Sequence, residues 1–267
     1  MANPRFKKRF GQNHLVSGDL CRPLVDYLRP AGESVLEIGP GGGILTEQLV
    51  RAGARVTACE VDREWAFYTA RKLRHATADG TLRLAALDVL DLPWERWPVG
   101  TLVAGNLPFN VGTRILETLL PHAGRFPRAA FMVQKEVAER LVAEPGTKAY
   151  GALSVLVASH AKVRYLGTVK PGSFRPPPKV SAAFVGLELV PAPYADDALG
   201  RYHGLVRLAF SKRRKTLYNC LGSGWGKERA GTVLDHAGID RKRRAESLDL
   251  TEFRRLFIAS EDIASED

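Results

Sequence analysis

Gly105, Asn106, Leu107, Pro108 and Phe109 directly follow the apolar run Leu102-Val103-Ala104. That run reads as a buried strand, so Asn106 is expected at the strand's carboxyl mouth, where open α/β sheets bind their ligands. An amide, a proline-stiffened turn and an aromatic ring suit such a mouth to a flat, amino-bearing ring. The Asn106 oxygen and the Leu107 carbonyl can accept two amino protons, Pro108 holds the turn, and Phe109 can cover the ring face. This chemistry fits an exocyclic amine whose lone pair is normally delocalised. An ordinary polar turn has the same composition, so the motif gains its meaning from a second one upstream.

Ser34 to Ile38 reads as a short strand running into Gly39-Pro40-Gly41-Gly42-Gly43 and then a helical stretch, residues 44–50. Strand, glycine loop and helix start together make a nucleotide cradle. Ile44 stands where a dinucleotide fingerprint has its third glycine. The glycines at 39, 41 and 43 instead match the spacing of S-adenosylmethionine-dependent methyltransferases. The next strand, 55–59, ends in Glu60-Val61-Asp62. Glu60, about 20 residues past the loop, is placed to accept from both ribose hydroxyls, whereas Asp62 reads as the cap of a helix starting near Arg63. A third strand, 82–87, ends in Asp88, a candidate acceptor for the adenine amine of such a donor.

These sites need a sheet to carry them. Strands are expected at 34–38, 55–59, 82–87, 101–105 and 129–133, alternating with helices at 44–52, 63–76, 112–120 and 134–143. This rhythm argues for a doubly covered, mostly parallel sheet. Helices are also expected at 20–28 and 149–159, the latter covering the sheet. Strands 162–166 and 182–189 form a closing antiparallel hairpin. Between them, Phe174-Arg175-Pro176-Pro177-Pro178-Lys179 forms a loop stiff enough to hold Phe174 over a pocket. Pro191-Ala192-Pro193 marks a linker, dividing a domain of residues 1–190 from a helical domain of residues 191–267. Helices are expected there at 202–210, 213–221, 227–237 and 250–258, with the acidic last residues disordered.

Apolar and charged fractions of 45% and 25% over 267 residues are those of a folded, water-soluble chain with room for a second small domain. No apolar run approaches a membrane span, and the basic start has no signal-peptide core, so the cytoplasm is the expected compartment. Three scattered cysteines and six unpaired histidines make neither a disulfide framework nor a metal site; His160 reads as a core or rim histidine. The net charge is +10, gathered in two places. Residues 200–255 hold 14 Lys/Arg against 6 Asp/Glu, and the first 30 hold 6 against 2. Such clustering is the footprint of a phosphate-rich partner. Lys7, Lys8 and Arg9 in the arm, and Lys212, Arg213, Arg214 and Lys215 further on, are the candidate contacts to its phosphates.

Taken together, these segments resemble the ribosomal RNA adenine N6,N6-dimethyltransferase family, nearest its bacterial small-subunit branch. The likeness runs through residues 8–15, 37–41, 60–62, 105–110, 134–137, 148–154, 174–180 and 213–217. It implies a Rossmann-like class I methyltransferase sheet of seven strands, mostly parallel, with a small C-terminal α-helical domain. It further implies S-adenosylmethionine as donor, S-adenosylhomocysteine as product and no metal. Asn13, Leu15, Gly39, Gly41, Glu60, Asp88 and Asn106 then bind the donor, while Phe109 and Phe174 sandwich the target adenine. The implied partner is small-subunit rRNA in an immature 30S particle, met by a monomer away from any membrane. A large-subunit (23S) rRNA dimethylase conferring antibiotic resistance and a non-catalytic ribosome-assembly factor are the alternatives. Three positions depart from the family's usual residues. His14 stands for phenylalanine, Phe109 for tyrosine and Ser181 for aspartate.

Overall fold

Val35, Leu36, Val103, Ala104, Ala130 and Phe131 are essentially inaccessible to solvent, as strands covered on both faces must be. A computed structural model describes residues 4–7 and 10–266. Its centre is a seven-stranded sheet. The strands are β2 (Ser34–Ile38), β3 (Arg55–Cys59), β4 (Leu82–Ala85), β5 (Leu102–Asn106), β6 (Arg128–Gln134), β7 (Ala161–Val169) and β9 (Ala182–Leu189). They lie in the order β4-β3-β2-β5-β6-β9-β7. The first five are parallel, and β9 pairs antiparallel with both β6 and β7. The expected closing hairpin is therefore present, with β9 inserted inside β7. A separate two-stranded ladder joins β1 (His14–Leu15) to β8 (Phe174–Arg175).

Chain order reverses between β2 and β5. From β2 the chain steps outward to β3 and β4, then returns to place β5 on the other side of β2. Helices α1 (Arg22–Leu28), α2 (Ile44–Arg51), α3 (Arg63–Lys72), α4 (Arg74–Ala78) and α5 (Gly112–Leu119) make the connections and cover. Such a reversal opens a crevice at the carboxyl ends of the two neighbouring strands. The register places Ile38 beside Gly105, so the loop after β2 and the turn after β5 face each other there.

Contacts divide the chain into two units. The first comprises Met1–Ala138 and Ala161–Pro191, and the second Glu139–His160 and Ala192–Asp267. The break after Pro191 lies one residue beyond the expected boundary, and residues 139–160 group with the C-terminal helices rather than with the sheet. The division falls within α6 (Lys135–Leu141). In the second unit, α7 (Ala152–Ala158) joins α8 (Asp196–Ala209), α9 (Leu217–Trp225), α10 (Lys227–His236) and α11 (Leu250–Glu266). The Ser159 hydroxyl meets that of Tyr202 at 2.9 Å, and the His160 and His203 rings pack edge-on at 5.2 Å. His160 is thus a core histidine, bonded through Nδ1 to the Leu156 carbonyl.

Two expectations change here. Residues 213–215 do not open a helix; α9 starts after Thr216, whose hydroxyl caps it by accepting the Asn219 amide. Nor is the acidic end unstructured, because α11 continues to Glu266. Its acids are engaged in part, Glu261 by Arg201 and Asp262 by His236. No helix among the described residues is long and apolar enough to cross a membrane.

Candidate active site

Gly105 shows why strand and turn meet so closely. A Cβ on it would sit 2.6 Å from the Ile38 carbonyl oxygen, so any side chain would prise β5 from β2. With the strands tight, a cavity of about 280 Å³ opens at their mouths. Gly39, Gly41, Glu60 and Asp88 line one part of it, and Asn106, Leu107, Pro108 and Phe109 another. Six of the seven expected donor residues border this space, as do four of the five expected catalytic ones.

The glycine loop is bound to the second strand's mouth through Glu60. Its Oε2 accepts the Gly41 amide and its Oε1 the Asp62 amide, both at 3.0 Å. Burial raises the Glu60 carboxyl above its ordinary range, and these backbone amides partly restore the charged form. Gly41 has φ +50, and a Cβ there would lie 2.5 Å from His14 Nε2; only glycine lets the histidine cross the loop. Burial also depresses His14 to about 4, which leaves the ring neutral. It packs edge-on against Trp65 with centroids 4.3 Å apart. The position tolerates a histidine because the ring is used as a flat, uncharged spacer. Asp88 Oδ1 accepts the Leu90 amide at 3.0 Å, which holds the carboxylate at the cavity wall.

At the other end, the Leu107 amide donates to the Met132 carbonyl at 2.9 Å, while the Val111 and Gly112 amides both donate to Pro108. The turn carrying Asn106 is therefore rigid before anything binds. Asn106 Nδ2 donates to the backbone carbonyl of Asn13 at 2.8 Å. The amide's oxygen is thereby left to accept from a ligand.

Three expected site residues are placed elsewhere. Phe174 does not border the cavity: it is 2% exposed and packs in the core with Leu15, Leu24 and Phe184. Pairing of Leu15 with Phe174 across the β1–β8 ladder sends both side chains to the same buried face, so the proline-rich loop braces the N-terminal arm instead of holding a ring over the pocket. Leu15 correspondingly lies under the glycine loop, beside a crevice of about 20 Å³ shared with Glu37. Lys7 is engaged within the protein, its Nζ 2.9 Å from both Asp62 and Glu64. Lys8 and Arg9 lie outside the described residues.

Three contributors were not singled out in the sequence. Phe10 and Gln12 border the cavity; their signal was only their position in a segment shared with a family. Glu37 is 1% exposed, and no hydrogen bond of normal geometry reaches its carboxyl oxygens, although Thr46 acts on it to favour the charged form. Burial pushes its carboxyl up to about 8, so it is protonated at neutral pH. An acid inside the otherwise apolar run Val35-Leu36-Glu37-Ile38 was the available signal.

In the second unit, Lys212, Arg213, Arg214 and Lys215 form an exposed turn between α8 and α9, closed by the Lys215 amide donating to the Lys212 carbonyl. None of the four is in an ion pair among the described residues. Cys21 and Cys59 are buried thiols, pushed by burial to about 12 and 11, which suits neither to nucleophilic work. No group of three or more His, Cys, Asp or Glu side chains among the described residues is arranged to hold a metal ion.

A sequence profile of the ribosomal RNA adenine dimethylase family matches residues 3–262. Among curated relatives, the ribosomal RNA small subunit methyltransferase A of Pseudomonas putida is 42% identical over 260 residues, covering 94% of each chain. Its namesake from Geobacter metallireducens is 39% identical over 270 residues, again with 94% coverage of each. Among solved structures, a dimethyladenosine transferase from Plasmodium falciparum superposes with a TM-score of 0.76 at 23% identity, covering 94% of this chain and 98% of that one. The 23S rRNA methyltransferase ErmE does so with a TM-score of 0.63 at 24% identity, covering 97% and 100%. Both structural likenesses speak for the fold.

Proposed function

The chain belongs to the ribosomal RNA adenine dimethylase family, and from that premise we propose that it methylates N6 of two adjacent adenosines of small-subunit (16S) rRNA, giving N6,N6-dimethyladenosine. One observation carries the reading to residues. Asn106 and Phe109 share a single cavity with Gly41, Glu60 and Asp88 at the reversal of the sheet.

S-adenosylmethionine fits the cradle that these residues make. Gly39 and Gly41 offer close backbone approach, Glu60 accepts from ribose hydroxyls, Asp88 from an adenine amine, and Asn13 closes the space. Bound there, it supplies an electrophilic methyl group and departs as S-adenosylhomocysteine. The protein's own work is at the acceptor. The target adenine must leave its stack to reach the cavity. Phe109 stacks on it, which contributes roughly 1–3 kcal/mol per base. Asn106 Oδ1 and the Leu107 carbonyl accept hydrogen bonds from the amino group, draw the nitrogen out of conjugation and aim its lone pair. Positioning of this kind can lower a barrier by about 7–11 kcal/mol. Loss of the amine's proton requires no side-chain base, because alkylation makes that nitrogen acidic.

The substrate is an immature small subunit, met by a monomer in the cytoplasm, with the turn at residues 212–215 contacting phosphates. Incubation of wild-type protein with labelled donor and immature small subunits, followed by mapping of the label, tests the reading. Label on adjacent 16S adenosines is expected. Label confined to 23S rRNA, or bound donor with no transfer, overturns it.

A further inference from the structure

The geometry points to Asp62, Lys7 and Gln12 as a latch that holds the N-terminal arm so that the Asn13 carbonyl dictates which end of the Asn106 amide faces the target base. This rests on the reading of Asn106 as the acceptor for the adenine amine.

A side-chain amide is a donor at one end and an acceptor at the other. Turned the wrong way, Asn106 would offer an NH2 group to an NH2 group. A backbone carbonyl can only accept, so the Asn13 oxygen selects Nδ2 and sends Oδ1 the other way. The catalytic orientation is therefore decided by an arm residue 93 positions away in sequence.

Residues 10–13 have no strand or α-helix to hold them; side chains do so. Lys7 Nζ reaches Asp62 Oδ1 and Glu64 Oε1, each at 2.9 Å. The Lys7 backbone amide donates to Gln12 Oε1 at 2.8 Å, and Gln12 Nε2 donates to Asp62 Oδ2 at 3.0 Å. Both oxygens of Asp62 are thus taken by the arm, although Oδ1 also caps α3 by accepting the Glu64 amide at 3.2 Å. Asn13 Nδ2 donates to the Gly11 carbonyl at 3.1 Å and tightens the bend next to Asn106. Phe6 packs on Trp65 and His14, at 5.2 and 5.0 Å. The Asp62 amide in turn donates to Glu60, so the ribose end of the cavity and the amine end are joined through one anchored arm. A helix cap alone would need neither the lysine nor the glutamine.

These are positioning residues, and their test does not require donor or RNA. The protein has five asparagines, so selective 15N-asparagine labelling resolves the Asn106 side-chain amide. In the Lys7→Met/Gln12→Met double variant, the Asn106 signals should move towards those of an unbonded amide. Asn219, in the second unit, should stay put as a control for folding. Lys7→Arg in place of Lys7→Met, on wild-type Gln12, should keep the wild-type Asn106 signals. With donor saturating, kcat of the double variant should fall on the order of tenfold to a hundredfold. Unchanged Asn106 signals overturn the latch, and so do shifted signals with full kcat. A wild-type protein that methylates no rRNA overturns the reading of the site, and with it the catalytic half of the latch, whereas the Asn106 signals judge the arm itself in either case.

Discussion

Asn106 and Asn13 meet side chain to backbone, the Nδ2 of one donating to the carbonyl of the other at 2.8 Å. The contact ties the turn after β5 to the N-terminal arm and leaves Oδ1 as the amide's acceptor, on a residue that lines the cavity. Asn106→Ala should lose turnover by roughly 100-fold or more while still binding the donor. Asn106→Asp should fail as well, although it keeps an acceptor, because one carboxylate oxygen would then oppose the Asn13 carbonyl. Single-turnover rates beside calorimetric donor titrations check both; wild-type-like turnover in Asn106→Asp would remove the amide's orientation from the mechanism.

Phe109 and Phe174 should separate into a binding ring and a core ring. Phe109→Ala should weaken the RNA complex by about 1–3 kcal/mol and cost less folding stability than loss of Phe174, since Phe109 is only half-buried where it packs on the core. Phe174→Ala should instead cost about 3–5 kcal/mol of folding stability, since the ring is 2% exposed and belongs to the core cluster that also holds Leu15 and Phe184. Thermal melts and RNA affinities of the two variants decide the assignment. A stable Phe174→Ala protein with weakened RNA binding would return that ring to the substrate.

The exposed turn at residues 212–215 should carry salt-dependent RNA binding. Neutralising Lys212, Arg213, Arg214 and Lys215 should lower the slope of log affinity against log salt by up to about 3.6, at roughly 0.7–0.9 per phosphate contact. Lys7→Gln should change that slope much less, because its ammonium is already paired with Asp62 and Glu64. Affinities measured across a salt series give both numbers, and an unchanged slope in the fourfold variant would exclude the turn as an RNA surface.

Glu37 should make stability depend on pH in an unusual direction. Its folded-state carboxyl is raised to about 8 by burial, above the ordinary carboxylate value it regains on unfolding. The folded state therefore holds a proton that the unfolded chain releases, so the contribution is complete in acid and is lost as pH climbs towards 8. Glu37→Gln, neutral throughout, should gain on wild type between about pH 5 and 8 by roughly 3–5 kcal/mol at most. Denaturant titrations at several pH values measure the difference; a constant offset would mean that Glu37 is ionised in the folded protein.

Much of the site was legible from local pattern. Apolar runs closing in glycine or an acid located β2, β3 and β5 and their mouths, because a strand's burial and a loop's backbone freedom are written in consecutive residues. Gly39, Gly41, Glu60, Asp88 and Asn106 followed from those positions. The likeness to a known family added Asn13, but could not say that its carbonyl engages Asn106.

Tertiary structure decided where the remaining side chains point. Phe174 is an aromatic in a stiff loop by sequence; pairing with Leu15 across the β1–β8 ladder turns it into the core. Lys7 is one cation in a basic arm until Asp62 and Glu64, far along the chain, neutralise it. Residues 139–160 carry a helix pattern that suits either unit, and packing assigns them to the second. In each case short-range chemistry allowed two environments of similar cost, and a contact between residues distant in the chain selected one.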